Sequence, residues 1–408
     1  MSAGQQNTLT DWLGILENRH VQEIQLDLDR ISQVAKKLNL DNTKATVITV
    51  AGTNGKGSTV STLESIYFEA GYKVASYTSP HLMRFNERIR INKQQISDDE
   101  LIKWFEVIEQ ARDDIHLTYF ETVTLAGLLY FKQQDTDLIL LEVGLGGRLD
   151  ATNIIDNDLA IITTIDFDHQ EFLGNTLDEI TFEKAGVLRA NKPFIYADLN
   201  PSQILLEKAG CLTSEIYIHG QDYDWLHFKD ELNLPSPHLH INSVAAAIMA
   251  IKCLQTKLPV ADRAIRRGIV NTILPGRLQL VEKNACSILF DVAHNPQSVR
   301  YLANFLAEKY PNKIIHAVFS AFADKDINGM VFPLRDQVNC WYPAVMPGKR
   351  AASAQALMAI LNANAVNTTL CHNDAIAAFQ AACKRANPGD LILVYGSFVI
   401  TGTVLDSL

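Results

Sequence analysis

Short apolar runs alternate with helix-period segments along almost the whole chain. That rhythm restricts the chain to an α/β fold with a mostly parallel sheet, because only strands covered on both faces can be apolar throughout. Residues 45–50 read as a buried strand, 58–70 as a helix stopped by Gly71, and 73–78 as a strand again. Further strand runs lie at 137–143, 159–165 and 193–197, followed by a long apolar helix over 240–257. Pro275-Gly276-Arg277 then breaks the pattern, as Pro-Gly pairs do at boundaries. The alternation restarts, with strands expected at 286–292, 313–319, 339–345 and 390–395 and helices at 296–309, 353–362 and 374–386. The expected organisation is a first α/β domain over 1–274, a linker at 275–277 and a smaller Rossmann-like α/β domain over 278–408.

Several function classes are disfavoured at once. A formal net charge of -10 argues against nucleic acid as a main partner, since neutralising phosphates needs a basic face. No apolar run is long enough to span a bilayer, and the first residues lack a secretory pattern, so a cytoplasmic chain with no membrane partner is expected. The six cysteines are scattered without a CxxC pair. They read as small buried hydrophobes in a reducing compartment. No exposed apolar stripe stands out, which favours a monomer.

The segment Gly52-Thr53-Asn54-Gly55-Lys56-Gly57-Ser58 follows a strand and opens a helix. Glycines let backbone N–H groups curl around phosphate oxygens, the helix start adds positive potential, and a lysine reaches the outer phosphates. The loop is one residue shorter than the usual spacing, and Gly57 separates Lys56 from Ser58. A Gly-rich turn with no ligand is the bland alternative. A phosphate loop alone says only that a nucleotide binds.

Ligands of open α/β sheets sit beyond the carboxyl ends of the strands. Glu142 is a charge at the end of an apolar run, and a buried carboxylate is costly unless it is paired or metal-bound. Asp150 follows on a glycine-rich loop. The run 159–165 leads into Asp166-Phe167-Asp168-His169, which sets His169 at the equivalent end of its strand. Ser79 can offer a hydroxyl to a metal, and Arg84 and Arg88 match carboxylates, although a basic surface loop explains them as well. Taken alone, Lys184 reads as a solvated surface lysine.

In order, Gly52–Ser58, Ser79-Pro80-His81, the stretch Glu142 to Asn153, Asp168-His169, Glu183-Lys184-Ala185-Gly186, Pro275-Gly276-Arg277 and Asp291-Val292-Ala293-His294-Asn295-Pro296 resemble the bifunctional dihydrofolate synthase/folylpolyglutamate synthase family of Mur ligases. The resemblance runs over essentially the whole chain. It implies a phosphate-loop domain followed by a smaller Rossmann-like domain. It also implies an ATP-dependent ligase that adds L-glutamate to dihydropteroate and to reduced folates through an acyl phosphate. By resemblance, Thr53, Asn54, Gly55, Lys56, Gly57 and Ser58 cradle ATP. Ser79 and Glu142 hold one Mg²⁺, and His169 with Glu142 a second, with K⁺ a further candidate ion. Lys184 matches the family lysine that CO₂ carbamylates. Asn242, Arg277, Asp291 and His294 match nucleotide positions, while Phe120, Asp150 and Ala151 match the pterin end. Two departures stand out. Asp27 replaces a glycine in the segment Ile24 to Leu28, and Val399 stands where a histidine is common.

Alternatives stay open on the residues alone. A folylpolyglutamate synthase without the first activity keeps every phosphate and metal group. A ligase of cell-wall nucleotide precursors shares the chemistry but carries a further N-terminal domain, for which a phosphate loop near residue 52 leaves no space. A kinase or GTPase lacks the second α/β domain. A catalytically dead regulator does not need intact Lys56, Glu142, His169 and Lys184.

Overall fold

Strands buried on both faces set the architecture. The computed structural model describes residues 7–19, 25–40, 43–283 and 286–408. The chain divides into two compact units, one made of Met1–Pro80 with Asn86–Ile273, the other of His81–Phe85 with Leu274–Leu408.

In the first unit the described strands are β1 (Thr46–Ala51), β2 (Val74–Tyr77), β3 (Ile89–Ile91), β4 (Gln94–Gln95), β5 (Leu138–Glu142), β6 (Leu159–Ile162), β7 (Phe194–Tyr196) and β8 (Ile216–Ile218). They form one eight-stranded sheet in the order β4-β3-β2-β5-β1-β6-β7-β8. All neighbours from β2 to β8 pair parallel, and β3 and β4 add an antiparallel edge. The chain starts at β1, crosses to β2, and returns to lay β5 directly beside β1 before β6 follows on the other flank. That reversal opens a crevice at the carboxyl ends of β5, β1 and β6, where such sheets bind ligands.

Helix Lys56–Glu69 leaves the end of β1 and is buried from Ser58 to Tyr67. Helices Ile241–Cys253 and Asp262–Val270 pack against it. One charge lies inside this layer. Glu64, 3% exposed, is held by Arg90 at 2.8 Å and accepts the Ser76 hydroxyl at 2.9 Å. A buried carboxylate without such partners is strongly destabilising.

The second unit holds β9 (Gln279–Lys283), β10 (Cys286–Phe290), β11 (Ile315–Phe319), β12 (Cys340–Pro343) and β13 (Leu391–Tyr395), ordered β12-β11-β13-β10-β9. Only β9 is antiparallel. Period-two alternation splits the core: Leu289, Ala317, Phe319 and Leu393 face one helix layer, and Ile288, Phe290, Val318 and Ile392 the other.

The structure departs from the sequence reading in places. The run 159–165 stays extended only to Ile162, because Thr163 and Thr164 turn their groups onto the phosphate loop. The helix expected over 240–257 ends at Cys253. Reading all six cysteines as buried was wrong: Cys211 and Cys383 are exposed, and only Cys340 is fully buried. Among the described residues no helix is long and apolar enough to cross a membrane.

Candidate active site

The loop after β1 is sewn to the loop after β6. Thr53 N donates to Thr164 O at 2.7 Å, and Asn54 N donates to the Thr164 hydroxyl at 3.0 Å. The Thr53 hydroxyl accepts from Asp166 N at 3.0 Å and donates to Asp166 O at 3.1 Å. Glycine is required at two points. A Cβ on Gly52 would meet the Thr163 hydroxyl at 1.9 Å, and Gly55 has φ +90 with Ser243 Oγ 2.9 Å from where its Cβ would lie. Gly55 caps helix Lys56–Glu69, so the first backbone N–H groups of that helix, including those of Gly57 and Ser58, start at this loop. Lys56 Nζ curls back over the loop, donating to Gly52 O at 2.9 Å and Thr53 O at 3.2 Å. Across from the loop, Asn242 N donates to His240 Nδ1 at 3.1 Å, which starts helix Ile241–Cys253. Burial pushes the His240 imidazole down to about 4, so it is the neutral ring that accepts this bond.

Glu142 ends β5 and is 5% exposed. Ser79 N approaches its Oε2 at 3.4 Å, so the hydroxyl-bearing residue and the carboxylate are neighbours. These are hard oxygen donors of the kind magnesium takes. Among the described residues no group of three His, Cys, Asp or Glu could by itself hold a metal ion. His169 lies at the start of helix Gln170–Leu173 with φ +50, its backbone N–H held by Asp168 Oδ1 at 2.9 Å.

Lys184 ends helix Leu177–Lys184 and is 4% exposed, which overturns its reading as a solvated surface lysine. Burial pushes its amine down to about 7; nearby Lys56 pushes the same way, and Asp168 and Asp150 oppose. Those four side chains therefore share one electrostatic neighbourhood. Asp150 is itself 2% exposed, with burial raising its carboxyl. Its Oδ1 accepts from Thr152 N at 3.0 Å and its Oδ2 from Leu145 N at 2.9 Å, so it shapes its own loop and caps the turn Ala151–Ile154. Phe120 lies in the first turn of helix Tyr119–Gln133, under that loop, 2.5 Å from where a Cβ on Gly144 would stand.

Arg84 and Arg88 part company. Arg88 is buried in the first unit, 5.8 Å over the Tyr119 ring, whereas Arg84 is exposed and belongs to the segment grouped with the second unit. Within that second unit Asp291 is 8% exposed, and its two oxygens accept from Leu278 N at 2.9 Å and Ala293 N at 2.8 Å. Burial raises its carboxyl against the opposing pull of Arg277. The Arg277 guanidinium lies 4.7 Å over the Phe398 ring, and the His294 ring sits 5.9 Å from it. Val399 packs against the apolar core. In the segment Ile24 to Leu28, Ile24 lies outside the described residues. Asp27 accepts from Asp29 N at 2.8 Å and pairs with Arg30 at 3.0 Å.

Sequence reasoning gave no role to Thr163, Thr164, Asp168 or Ser243, although Asp168 stood in a quoted motif. Asp168 had a visible signal, an acid next to His169 past a strand end. The threonines and the serine had none, because their importance lies in bonds to a loop about 110 or more residues away in sequence.

Two family models match the chain, the Mur ligase middle domain over residues 50–224 and the Mur ligase glutamate ligase domain over 276–398. The dihydrofolate synthase/folylpolyglutamate synthase of Escherichia coli (strain K12) is 41% identical over 98% of this chain and 95% of its own length. The structure of E. coli FolC in complex with DHPP and ADP superposes with a TM-score of 0.93 at 39% identity, covering 99% of each chain. A bifunctional folylpolyglutamate synthase/dihydrofolate synthase with Mn, AMPPNP and L-glutamate bound gives a TM-score of 0.90 at 38% identity. The similarity covers 100% of this chain and 99% of that one. With identity at this level along its full length, the chain belongs to the dihydrofolate synthase/folylpolyglutamate synthase family of Mur ligases.

Proposed function

We propose that this chain is an ATP-dependent ligase that joins L-glutamate to dihydropteroate and adds further glutamates to reduced folates. The observation that carries the reading is a buried Lys184 in the electrostatic neighbourhood of Lys56 on the glycine loop, with Glu142 ending the strand paired to β1, in a chain of this family. A carboxylate is a poor acyl donor. In this reading the γ-phosphoryl group of ATP passes to it, and the glutamate amine attacks the resulting acyl phosphate and expels phosphate. Lys56 and the backbone N–H groups from Thr53 to Ser58 bind and orient the phosphates. Mg²⁺, when bound, supplies charge neutralisation on the transferring group. Ser79 and Glu142 would hold one ion, and His169 and Glu142 a second. The neutral Lys184 amine adds CO₂, forming an N–C bond and releasing a proton. The product is a carbamate, which would join the residues that hold the second ion. K⁺ is a further candidate ion. Asn242, Arg277, Asp291 and His294 take the nucleotide, Phe120, Asp150 and Ala151 the pterin end, and Arg84 an anionic substrate group. The protein acts as a monomer.

Phosphate release from Mg-ATP with L-glutamate, measured with dihydropteroate and with tetrahydrofolate as acceptors, tests this directly. Stimulation by both acceptors is expected. Stimulation by tetrahydrofolate alone reduces the chain to a folylpolyglutamate synthase, and stimulation by neither removes the folate assignment.

A further inference from the structure

The stretch Glu142 to Asn153 and the stretch Glu183 to Gly186 drew attention as sequence motifs, yet most of their side chains lie outside any catalytic role so far described. The structure gives them another task. Arg148 N donates to Glu183 O at 2.8 Å, and its guanidinium Nη2 donates to Glu183 Oε1 at 2.8 Å. The buried Asn153 amide donates to both Arg148 O at 3.0 Å and Gly186 O at 3.2 Å, and Arg189 holds its Oδ1 at 2.9 Å. Asn157 donates to Val187 O at 2.9 Å. The two stretches touch backbone to backbone. A Cβ on Gly147 would sit 2.9 Å from Lys184 O, and one on Gly186 would sit 2.4 Å from Arg148 Cα. The bonds to Glu183, Gly186, Val187 and Arg189 engage residues on either side of Lys184, and none of them uses its side chain.

We infer that Arg148, Glu183 and Asn153 are positioning residues, a clasp that fixes the backbone around Lys184 so that its buried amine is held toward Lys56, Asp150 and Asp168. A buried lysine without its own anchor would otherwise turn out to water. Groups that orient a site ligand without touching the substrate contribute about 10- to 100-fold in affinity or activity. The inference rests on Lys184 serving the reaction.

The experiment uses the full chain with Arg148→Ala, Glu183→Ala and Lys184→Ala, singly and combined. Arg148 is 41% exposed and Glu183 16%, so these replacements leave the core intact, and circular dichroism checks it. Glu183→Ala is expected to lower kcat about 10- to 100-fold with little change in the KM for ATP, and Arg148→Ala to add little on top of it. Against the residual turnover of Lys184→Ala, Glu183→Ala should cost nothing more. A loss of the same size in both backgrounds overturns the clasp. A second readout needs neither metal nor turnover: ¹³C NMR of metal-free protein in ¹³C-bicarbonate. A carbamate signal that Lys184→Ala removes and Glu183→Ala diminishes supports the inference, and one that Glu183→Ala leaves unchanged overturns it. If the unmodified chain gives no such signal, the carbamate reading fails by itself, and the double variant decides the clasp.

Discussion

Lys184 in the first unit and His316 in the second are both ionisable groups about 4% exposed beside a parallel sheet, and the fold treats them in opposite ways. His316 is satisfied on both ring nitrogens, by the Tyr342 hydroxyl at 3.0 Å and by Asp390 Oδ2 at 3.3 Å. Asp390 in turn accepts Asn387 N at 2.7 Å. His316 and Asp390 lie at the amino ends of β11 and β13, away from the end where such sheets bind ligands. Lys184 instead is pushed down to about 7 by burial and by the like charge of Lys56. A fully partnered buried network specifies a fold, whereas a destabilised buried charge is kept where chemistry needs it.

The largest expected effect separates the two. Lys184→Met should lower turnover by about 10³-fold or more while stabilising the protein by about 1–4 kcal/mol, since an apolar group replaces a buried amine. Phosphate release and thermal unfolding measure the two halves. If Lys184→Met unfolds more easily than the natural chain, the amine is better accommodated than this contrast holds. His316→Ala should do the reverse. Leaving Asp390 and the Tyr342 hydroxyl without the ring is expected to destabilise by about 1–3 kcal/mol, with kcat within about twofold of the starting value, because nothing at the site moves. A tenfold fall in kcat for the folded variant would erase the distinction.

The same contrast explains what could be read in advance. Apolar runs named β1, β5 and β13 to within a residue or two at each end, because burial on both faces keeps them largely apolar. The hairpin of β3 and β4 escaped notice, being only three and two residues long. So did β9, whose Gln279-Leu-Val-Glu-Lys is half exposed on a sheet edge. At the site, Lys56 and Glu142 announce themselves by pattern: glycines around one, an apolar strand leading into the other. Lys184 does not, for a lysine ending a helix is ordinarily a solvated one, and only the resemblance pointed to it. The pair of His316 and Asp390 is separated by 74 residues and joined only by the sheet register.

pH sharpens the comparison by a smaller amount. In metal-free, CO₂-depleted protein the folded Lys184 gives up its proton near 7, against 10.5 for an unperturbed lysine. Between those limits the unfolded chain binds more protons, so stability rises as pH rises. Lys184→Met removes that term. Its stability advantage over the natural chain should be greatest at and below pH 7 and shrink steadily toward pH 10. Denaturant midpoints for the two proteins at matched pH values measure it, and a constant gap across this range would mean that Lys184 is not deprotonated by folding.

The smallest effect concerns Asp27, whose environment grades from wet to dry within one network. Its own side chain is 36% exposed, Arg30 beside it 16%, and Glu121 beyond Arg30 4%. Glu121 is solved as His316 is: Oε2 accepts Thr118 N at 2.7 Å and Oε1 takes Arg30 at 3.1 Å, which closes the capping box of the helix carrying Phe120. Replacing Asp27 with glycine therefore removes only the exposed arm, the bond from Asp29 N and one ion pair, for about 0.5–1 kcal/mol. The buried arm persists through Arg30, so Phe120 should keep its place and the ratio of kcat/KM for dihydropteroate to that for tetrahydrofolate should change by less than about threefold. A larger shift in that ratio at unchanged fold stability would make Asp27 a determinant of which acceptor the site prefers, rather than a residue that only steadies the start of helix Asp29–Lys37.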